Sequence, residues 1–208
     1  MALPRLLADR RHRRVGLLGG SFNPAHQGHL HISHEALKRL DLDEIWWMVA
    51  PQNPLKPVRG MAPFDARMRD AGRLLREPRI KVTDIEARLG TRYTADTLAA
   101  LSRRFPRTRF VWLMGADNLS QIRHWERWRD IFRRVPIAVF DRPTYCLKAS
   151  AELAAARFKK YRVLNRNRRR LAERDPPAWT CFRTRLDASS ATALRARREG
   201  AVETIIER

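Results

Sequence analysis

The chain has little cysteine, little lysine and no long hydrophobic run, and each shortage excludes a class of protein. Two cysteines, Cys146 and Cys181, in 208 residues make neither a CxxC pair nor a disulfide framework, which points to a reducing compartment. The longest uninterrupted apolar run is the six residues Ile45 to Ala50. A helix needs roughly 20 apolar residues to cross a bilayer, so no membrane partner is expected. Met1 to Arg14 mixes Leu3, Leu6 and Leu7 with five arginines and lacks the apolar centre of a secretory signal, so a cytoplasmic protein is the expectation. Residues 1–13 read as a basic N-terminal extension and 14–208 as a single domain, long enough to bury a sizeable core with its 44% hydrophobic residues.

Arginine is what the chain has in excess. Forty-three basic residues against 22 acidic give a formal charge of +21, yet only six of the 43 are lysine. Such a field attracts anions in general. Selection for phosphate and a coding bias toward arginine both account for it. A protein that binds RNA through charge alone also needs aromatic stacking platforms between its cations. Here Trp46, Trp47 and Trp112 fall in strand-like runs, where core packing is the default. No specific nucleic-acid partner is therefore expected. The densest basic segment, Arg157–Arg174, reads as a solvated helix or linker closed by Pro176-Pro177, with an anion patch as the alternative.

Short β-branched and aromatic runs alternate with stretches of helical period, the pattern of βαβ units. Strands are expected at Val15–Leu18, Glu44–Ala50, Ile80–Thr83, Phe110–Met114, Ile137–Phe140 and Trp179–Phe182. Helices are expected at Gly28–Leu40, with Leu30, His34, Leu37 and Leu40 near one face, at Phe64–Leu75, and at Thr94–Phe105 with Thr94 as its cap. A last helix starts near Ser189 or Ser190. The fold class is α/β, a Rossmann-like doubly wound parallel sheet with helices on both faces and a small C-terminal helical segment. Nearly every strand runs into a loop of unusual chemistry: GGSFNPAHQGH, APQNPLK, LMGADN and FDRP. Open parallel sheets bind ligands beyond the carboxyl ends of their strands, where these loops fall.

Gly19 and Gly20 let backbone approach a bound group, and a helix N-terminus follows with unpaired N–H groups and a positive dipole end. His26 and His29, three apart at that helix start, share a face and can address one anion. His31 and His34 also pair at this spacing, but no acidic or cysteine set completes a metal shell, so they read as ordinary helix residues. Near the other end, Ser190, Thr192 and Arg195 set hydroxyls and a guanidinium around another probable helix start. A GxSxG elbow is absent, which excludes a serine-hydrolase role for Ser21.

GGSFNPAHQGH resembles the (T/S)FxPxHxGH signature of the HxGH nucleotidyltransferase superfamily, and SATALR its C-terminal SxTxxR signature. WWMVAPQNPLK, TRYTADTL, LMGADNL and HWERWRDI resemble the bacterial nicotinate-mononucleotide adenylyltransferases in particular, over roughly residues 14 to 198. The resemblance implies adenylyl transfer from ATP to nicotinate mononucleotide, giving nicotinate adenine dinucleotide and pyrophosphate in NAD biosynthesis. It implies catalytic roles for His26, His29 and Arg195. ATP would lie against Gly19, Gly20, Ser21, Phe22, His26, His29, Gly115, Asp117, Ser190, Thr192 and Arg195. Nicotinate mononucleotide would lie against Asn23, Lys56, Tyr93, Thr94 and Trp125, with Tyr93-Thr94 receiving the pyridine carboxylate and Trp125 stacking on the ring. For Trp125, packing against Trp128 is the alternative. Mg²⁺ would arrive on the ATP phosphates, without a protein ligand. Sister enzymes such as phosphopantetheine adenylyltransferase or a cytidylyltransferase share the HxGH start but not TRYTADTL, GADNL or the Trp125 segment.

Overall fold

The computed structural model describes residues 12–51, 60–141 and 153–184. Within them six strands form one parallel sheet: β1 (Arg13–Gly20), β2 (Glu44–Val49), β3 (Ile80–Thr83), β4 (Thr108–Gly115), β5 (Ile137–Asp141) and β6 (Trp179–Arg183). Their order is β3-β2-β1-β4-β5-β6. The chain builds outward from β1 to β3, then returns to the other side of β1 with β4 and builds the opposite way. That reversal makes the gap between β1 and β4 the switch point, where open sheets place ligands. Register runs evenly across it, with Leu17 opposite Trp46 on one side and Trp112 on the other.

Seven α-helices are described: α1 (Gln27–Arg39), α2 (Phe64–Leu74), α3 (Ile85–Leu89), α4 (Thr94–Arg104), α5 (Ala116–Gln121), α6 (Trp128–Arg134) and α7 (Leu153–Arg157). Parallel strands need crossovers, and the crossover helices cover both faces of the sheet. Val15, Leu17, Trp46, Met48 and Trp112 face a layer holding Leu98 and Leu101 of α4 and Ile131 and Phe132 of α6. Leu18, Ile45, Trp47, Val49 and Leu113 face the other layer, with Ala36 of α1 and Ala71 of α2. Two covered faces explain why EIWWMV is apolar without alternation: only the carboxyl of Glu44 breaks the run. It is held by Arg13, Lys81 and the Trp46 indole N–H.

All six expected strands are present: β3 matches, β2 is one residue shorter and the others are one to four residues longer. The expected doubly wound sheet is what the chain forms. Three local expectations are corrected. The buried face of α1 is Ser33 and Ala36, followed by Leu40, and His34 is exposed; Leu30 and Leu37 are only partly covered. Thr94 is the first residue of α4 and does not cap it; Tyr93 takes the cap position with extended backbone and no side-chain bond. Arg157–Arg174 is no solvated linker. Phe158 is buried against one face of the sheet and Leu171 and Ala172 against the other, so the segment wraps the β6 edge. Val163 N–H donates to Trp179 O at 2.7 Å, and the Thr180 hydroxyl donates to Val163 O at 2.8 Å. Arg157, Arg166, Arg169, Arg170 and Arg174 are exposed, Arg162 and Arg168 lie over the Trp179 and Phe182 rings, and the apolar residues between them are pinned. The helix expected near Ser189 or Ser190 lies outside the described residues.

Gly19, one residue before the end of β1, lies under Trp112, and a Cβ there meets the Trp112 Cη2 atom at 2.5 Å. An indole in a packed core cannot yield as a flexible chain end does. Gly19→Ala is therefore expected to cost about 1–3 kcal/mol of stability through overpacking, read from urea unfolding midpoints.

Candidate active site

The loops that leave β1, β3 and β4 converge on one end of the sheet, and the switch point lies between the first and last. At the end of β1 the chain turns through Ser21 and Phe22 into α1. Phe22 has φ 47, in the left-handed region that a bulky residue rarely occupies, at a cost of order 1–3 kcal/mol. Its ring offsets that cost: 1% exposed, it stacks on Trp47 at 5.1 Å and lies 4.5 Å from the His29 ring. Trp47 also donates its indole N–H to the Ser33 hydroxyl (2.8 Å), which in turn donates to His29 O (2.9 Å). Buried packing on β2 thus fixes where the His29 backbone and ring sit.

His26 and His29 cap α1 reciprocally. Gly28 N–H donates to His26 Nδ1 at 3.1 Å, and His26 N–H donates to His29 Nδ1 at 3.2 Å. The arrangement is a capping box built from imidazoles. An Nδ1 that accepts a proton bond carries no hydrogen, so each ring is the neutral tautomer with its hydrogen on Nε2. The ring centroids are 3.9 Å apart, and the first turn of α1 contains no acid. Two imidazoles tilted 38° to each other and a helix dipole end without a nearby acid therefore sit together at the switch point, an arrangement suited to phosphate oxygens.

The floor of this site rests on Arg67 of α2, 2% exposed. Its guanidinium donates to Ser21 O (2.7 Å), Ala50 O (2.8 Å), Pro51 O (2.7 Å) and Ala62 O (2.9 Å). It therefore bolts the loop after β1 to the loop after β2, and burial holds its pKa below the usual arginine value. The Asn23 amide completes the brace, donating to Gly60 O (3.1 Å) and accepting from Ala62 N–H (3.2 Å).

On the other side of the switch point, Gly115 closes β4 and Asp117 follows, exposed on the first turn of α5. A Cβ at Gly115 would collide with the Asp117 carboxylate, so glycine is required for that carboxylate to fold back over the strand end. Trp125 is half-buried and edge-on to Trp112, with centroids 6.3 Å apart at 87°. Trp128 instead packs on Phe132 and Phe158. The two tryptophans are not on one helix: α6 starts at Trp128, after Arg127 in the left-handed region with φ 48. Arg127 pairs with Asp96 of α4 at 2.5 Å, tying the Trp125 turn to the helix that begins at Tyr93-Thr94. Beneath that helix start, the Thr97 hydroxyl contacts Tyr93 O (3.2 Å), Thr91 Oγ1 (2.8 Å) and the Glu86 carboxyl (3.3 Å). Burial pushes the Glu86 carboxyl up to about 7, against a smaller lowering by the Thr97 bond.

Gly19, Gly20, Ser21, Phe22, His26 and His29 thus belong to one loop-and-helix start, Gly115 and Asp117 lie across the switch point, and Tyr93, Thr94 and Trp125 share a linked pair of turns. Lys56, Ser190, Thr192 and Arg195 lie outside the described residues. Sequence reasoning missed Arg67, Glu86, Asp96 and Arg127. Arg67 had a signal, an arginine spaced four from Ala71 on the apolar side of α2; the Glu86–Thr97 pairing had none. Among the described residues no group of three or more His, Cys, Asp or Glu side chains converges as a metal site.

The Cytidylyltransferase-like family matches residues 17–197. A protein of Parvibaculum lavamentivorans named probable nicotinate-nucleotide adenylyltransferase is 65% identical over 142 residues, 68% of this chain and 71% of that one. One of Cereibacter sphaeroides with the same name is 55% identical over 182 residues, 88% and 96% of the two chains. Among solved structures, a Plasmodium falciparum nicotinic acid mononucleotide adenylyltransferase complexed with NaAD superposes with a TM-score of 0.65. It is 15% identical and is aligned over 89% of this chain and 83% of that one, a likeness of fold.

Arg67→Met removes the donor to four carbonyls and is expected to cost about 3 kcal/mol or more, measured by urea unfolding. Glu86 gives stability a pH slope of known sign. Its folded pKa, about 7, lies above the ordinary 4.5, so the folded state binds the extra proton between those values. Stability is then greatest below pH 4.5 for this group and is lost as pH rises through 7, by on the order of 3 kcal/mol. Glu86→Gln should remove that slope, gaining on wild type between pH 5 and 8 in the same unfolding assay.

Proposed function

The chain belongs to the nicotinate-nucleotide adenylyltransferases of the Cytidylyltransferase-like family, and from that premise we propose that it transfers the adenylyl group of ATP to nicotinate mononucleotide. The products are nicotinate adenine dinucleotide and pyrophosphate, a step of NAD biosynthesis. The observation that carries the reading is the capped imidazole pair of His26 and His29 at the switch point between β1 and β4.

A phosphate oxygen of the mononucleotide attacks the α-phosphorus of ATP in line with the departing pyrophosphate. The P–O bond to the β-phosphate breaks as the new P–O bond forms, and the attacking oxygen is already an anion. No general base and no covalent intermediate are required, so catalysis reduces to alignment and charge stabilisation. The Nε2–H donors of His26 and His29 serve the phosphates, with His29 at the transferring group. Gly19, Gly20 and Ser21 let the nucleotide approach backbone. Asp117 takes a ribose hydroxyl. Lys56, Ser190, Thr192 and Arg195 supply the remaining phosphate contacts, on the resemblance of their motifs. Mg²⁺ arrives on the triphosphate, whose oxygens suit a hard cation.

The acceptor is assigned to the paired turns. Its carboxylate meets the Tyr93-Thr94 start of α4, where a helix favours an anion, and its ring stacks on Trp125. Arg67 and Asn23 act through the loops they brace. A polar site that bonds the carboxylate rejects the amide strongly, because its donors are otherwise left unpaired. Pyrophosphate release from ATP with nicotinate mononucleotide, beside its amide, tests the activity; equal rates would overturn the pocket assignment. His29→Ala is expected to lower kcat by about 10²–10³ while the protein remains folded, and full turnover would refute its role.

A further inference from the structure

Arg127 stands in a conformation that glycine or asparagine would hold at less cost. Its backbone, with φ 48 and ψ 39, lies in the left-handed region and caps α6, where its carbonyl accepts the Asp130 N–H at 2.8 Å. What arginine adds over glycine at this turn is a side chain, and that side chain leaves its own helix. Two acids stand close in sequence, Glu126 and Asp130, and Asp130 takes Arg133. The Arg127 guanidinium crosses instead to the first turn of α4, where Nη2 meets Asp96 Oδ1 at 2.5 Å. Backbone strain persists where surrounding contacts hold it, and it gathers at ligand clamps.

The two ends of this pair lie on the two turns assigned to the acceptor. Asp96 N–H donates to Tyr93 O at 3.0 Å, so Asp96 belongs to the turn that starts at Tyr93-Thr94. Trp125, two residues before Arg127, accepts the Trp128 N–H at 3.1 Å. Further along, α4 and α6 share one core layer through Leu98, Leu101, Ile131 and Phe132, and Trp128 is anchored on Phe132 and Phe158. That packing fixes the bodies of the two helices. Trp125 is half-buried and meets Trp112 edge-on, and the ion pair adds a link at the helix starts.

Resting on the proposed activity, we propose that Arg127 is a positioning residue for the acceptor: its strained turn and its pair with Asp96 set the spacing between the Trp125 ring and the start of α4, the slot that takes the pyridine ring and its carboxylate. The pair is partly exposed and adds little to global stability. Its effect is local. It holds the ring-stacking turn at one distance from the carboxylate turn, and it offsets the charge of Asp96, an acid in the same helix turn that receives another anion.

The test compares wild-type protein with Arg127→Gly, Arg127→Lys, Asp96→Asn and the Arg127→Gly/Asp96→Asn double variant, by pyrophosphate release and urea unfolding. Glycine relaxes the turn, so the urea midpoint of Arg127→Gly stays at the wild-type value or rises. Its KM for nicotinate mononucleotide rises about three- to tenfold, while KM for ATP and kcat at saturating acceptor stay within about twofold. Asp96→Asn raises the same KM, and the double variant is no worse than Arg127→Gly, because the two side chains act as one. Arg127→Lys keeps the charge and recovers part of the loss. An arginine that merely supported the fold would lower the urea midpoint and leave the acceptor KM alone. Wild-type acceptor KM in Arg127→Gly, or a lowered one in Asp96→Asn, overturns the role of the pair and leaves the activity standing. No turnover of nicotinate mononucleotide by the wild-type protein overturns the activity, and the inference with it.

Discussion

Everything at the active end of the sheet depends on two imidazole nitrogens that accept backbone protons. Because His26 and His29 accept backbone protons at the start of α1 through Nδ1, the helix start and the tautomer are settled together. A carboxylate cap would satisfy the same backbone groups but present no donor to a phosphate. Protonating either ring would break a cap bond, so helix stability and the neutral donor form reinforce each other. The strained Phe22 and the buried Trp47 serve this arrangement by wedging the His29 ring in place.

The large positive charge contributes less to this machinery than its size suggests. Many arginines are spent on surface pairs, such as Arg14 with Asp41 and Asp43 or Arg88 with Asp84. Exposed pairs of this kind contribute little individually. The arginine that matters most to the site's shape, Arg67, gives its described hydrogen bonds to backbone carbonyls, lies over the Phe64 ring and is nearly inaccessible. Composition counts it with the rest. Burial distinguishes it.

The sheet was legible because parallel strands covered on both faces appear as short apolar runs, and the site loops because each follows such a run. EIWWMV and IKVT show how well that worked. The short helices α3, α5 and α6 were not legible as helices: five to seven residues hold too few turns for a period to emerge. The basic stretch misled because its arginines dominate the composition, while Phe158, Val163 and Leu171, which pin it, are scattered singly among them. The imidazole pair was found from its spacing. Its reciprocal capping was not, since histidine is an unusual cap. The Glu86–Thr97 contact joins residues on two helices across a turn, and no local pattern announces such a pair.

The strand register carries a consequence for biosynthesis. β1, β2 and β3 lie within the first 83 residues and can align as soon as they leave the ribosome, but one side of β1 then stays bare. The partner for that side is β4, whose pairing matches Val15 with Phe110 and Leu18 with Leu113. A growing chain must therefore keep the flank of its central strand unpaired while the next two helices are made, an interval in which chaperone protection would count most. The nucleotide crevice comes into being only when that flank is filled.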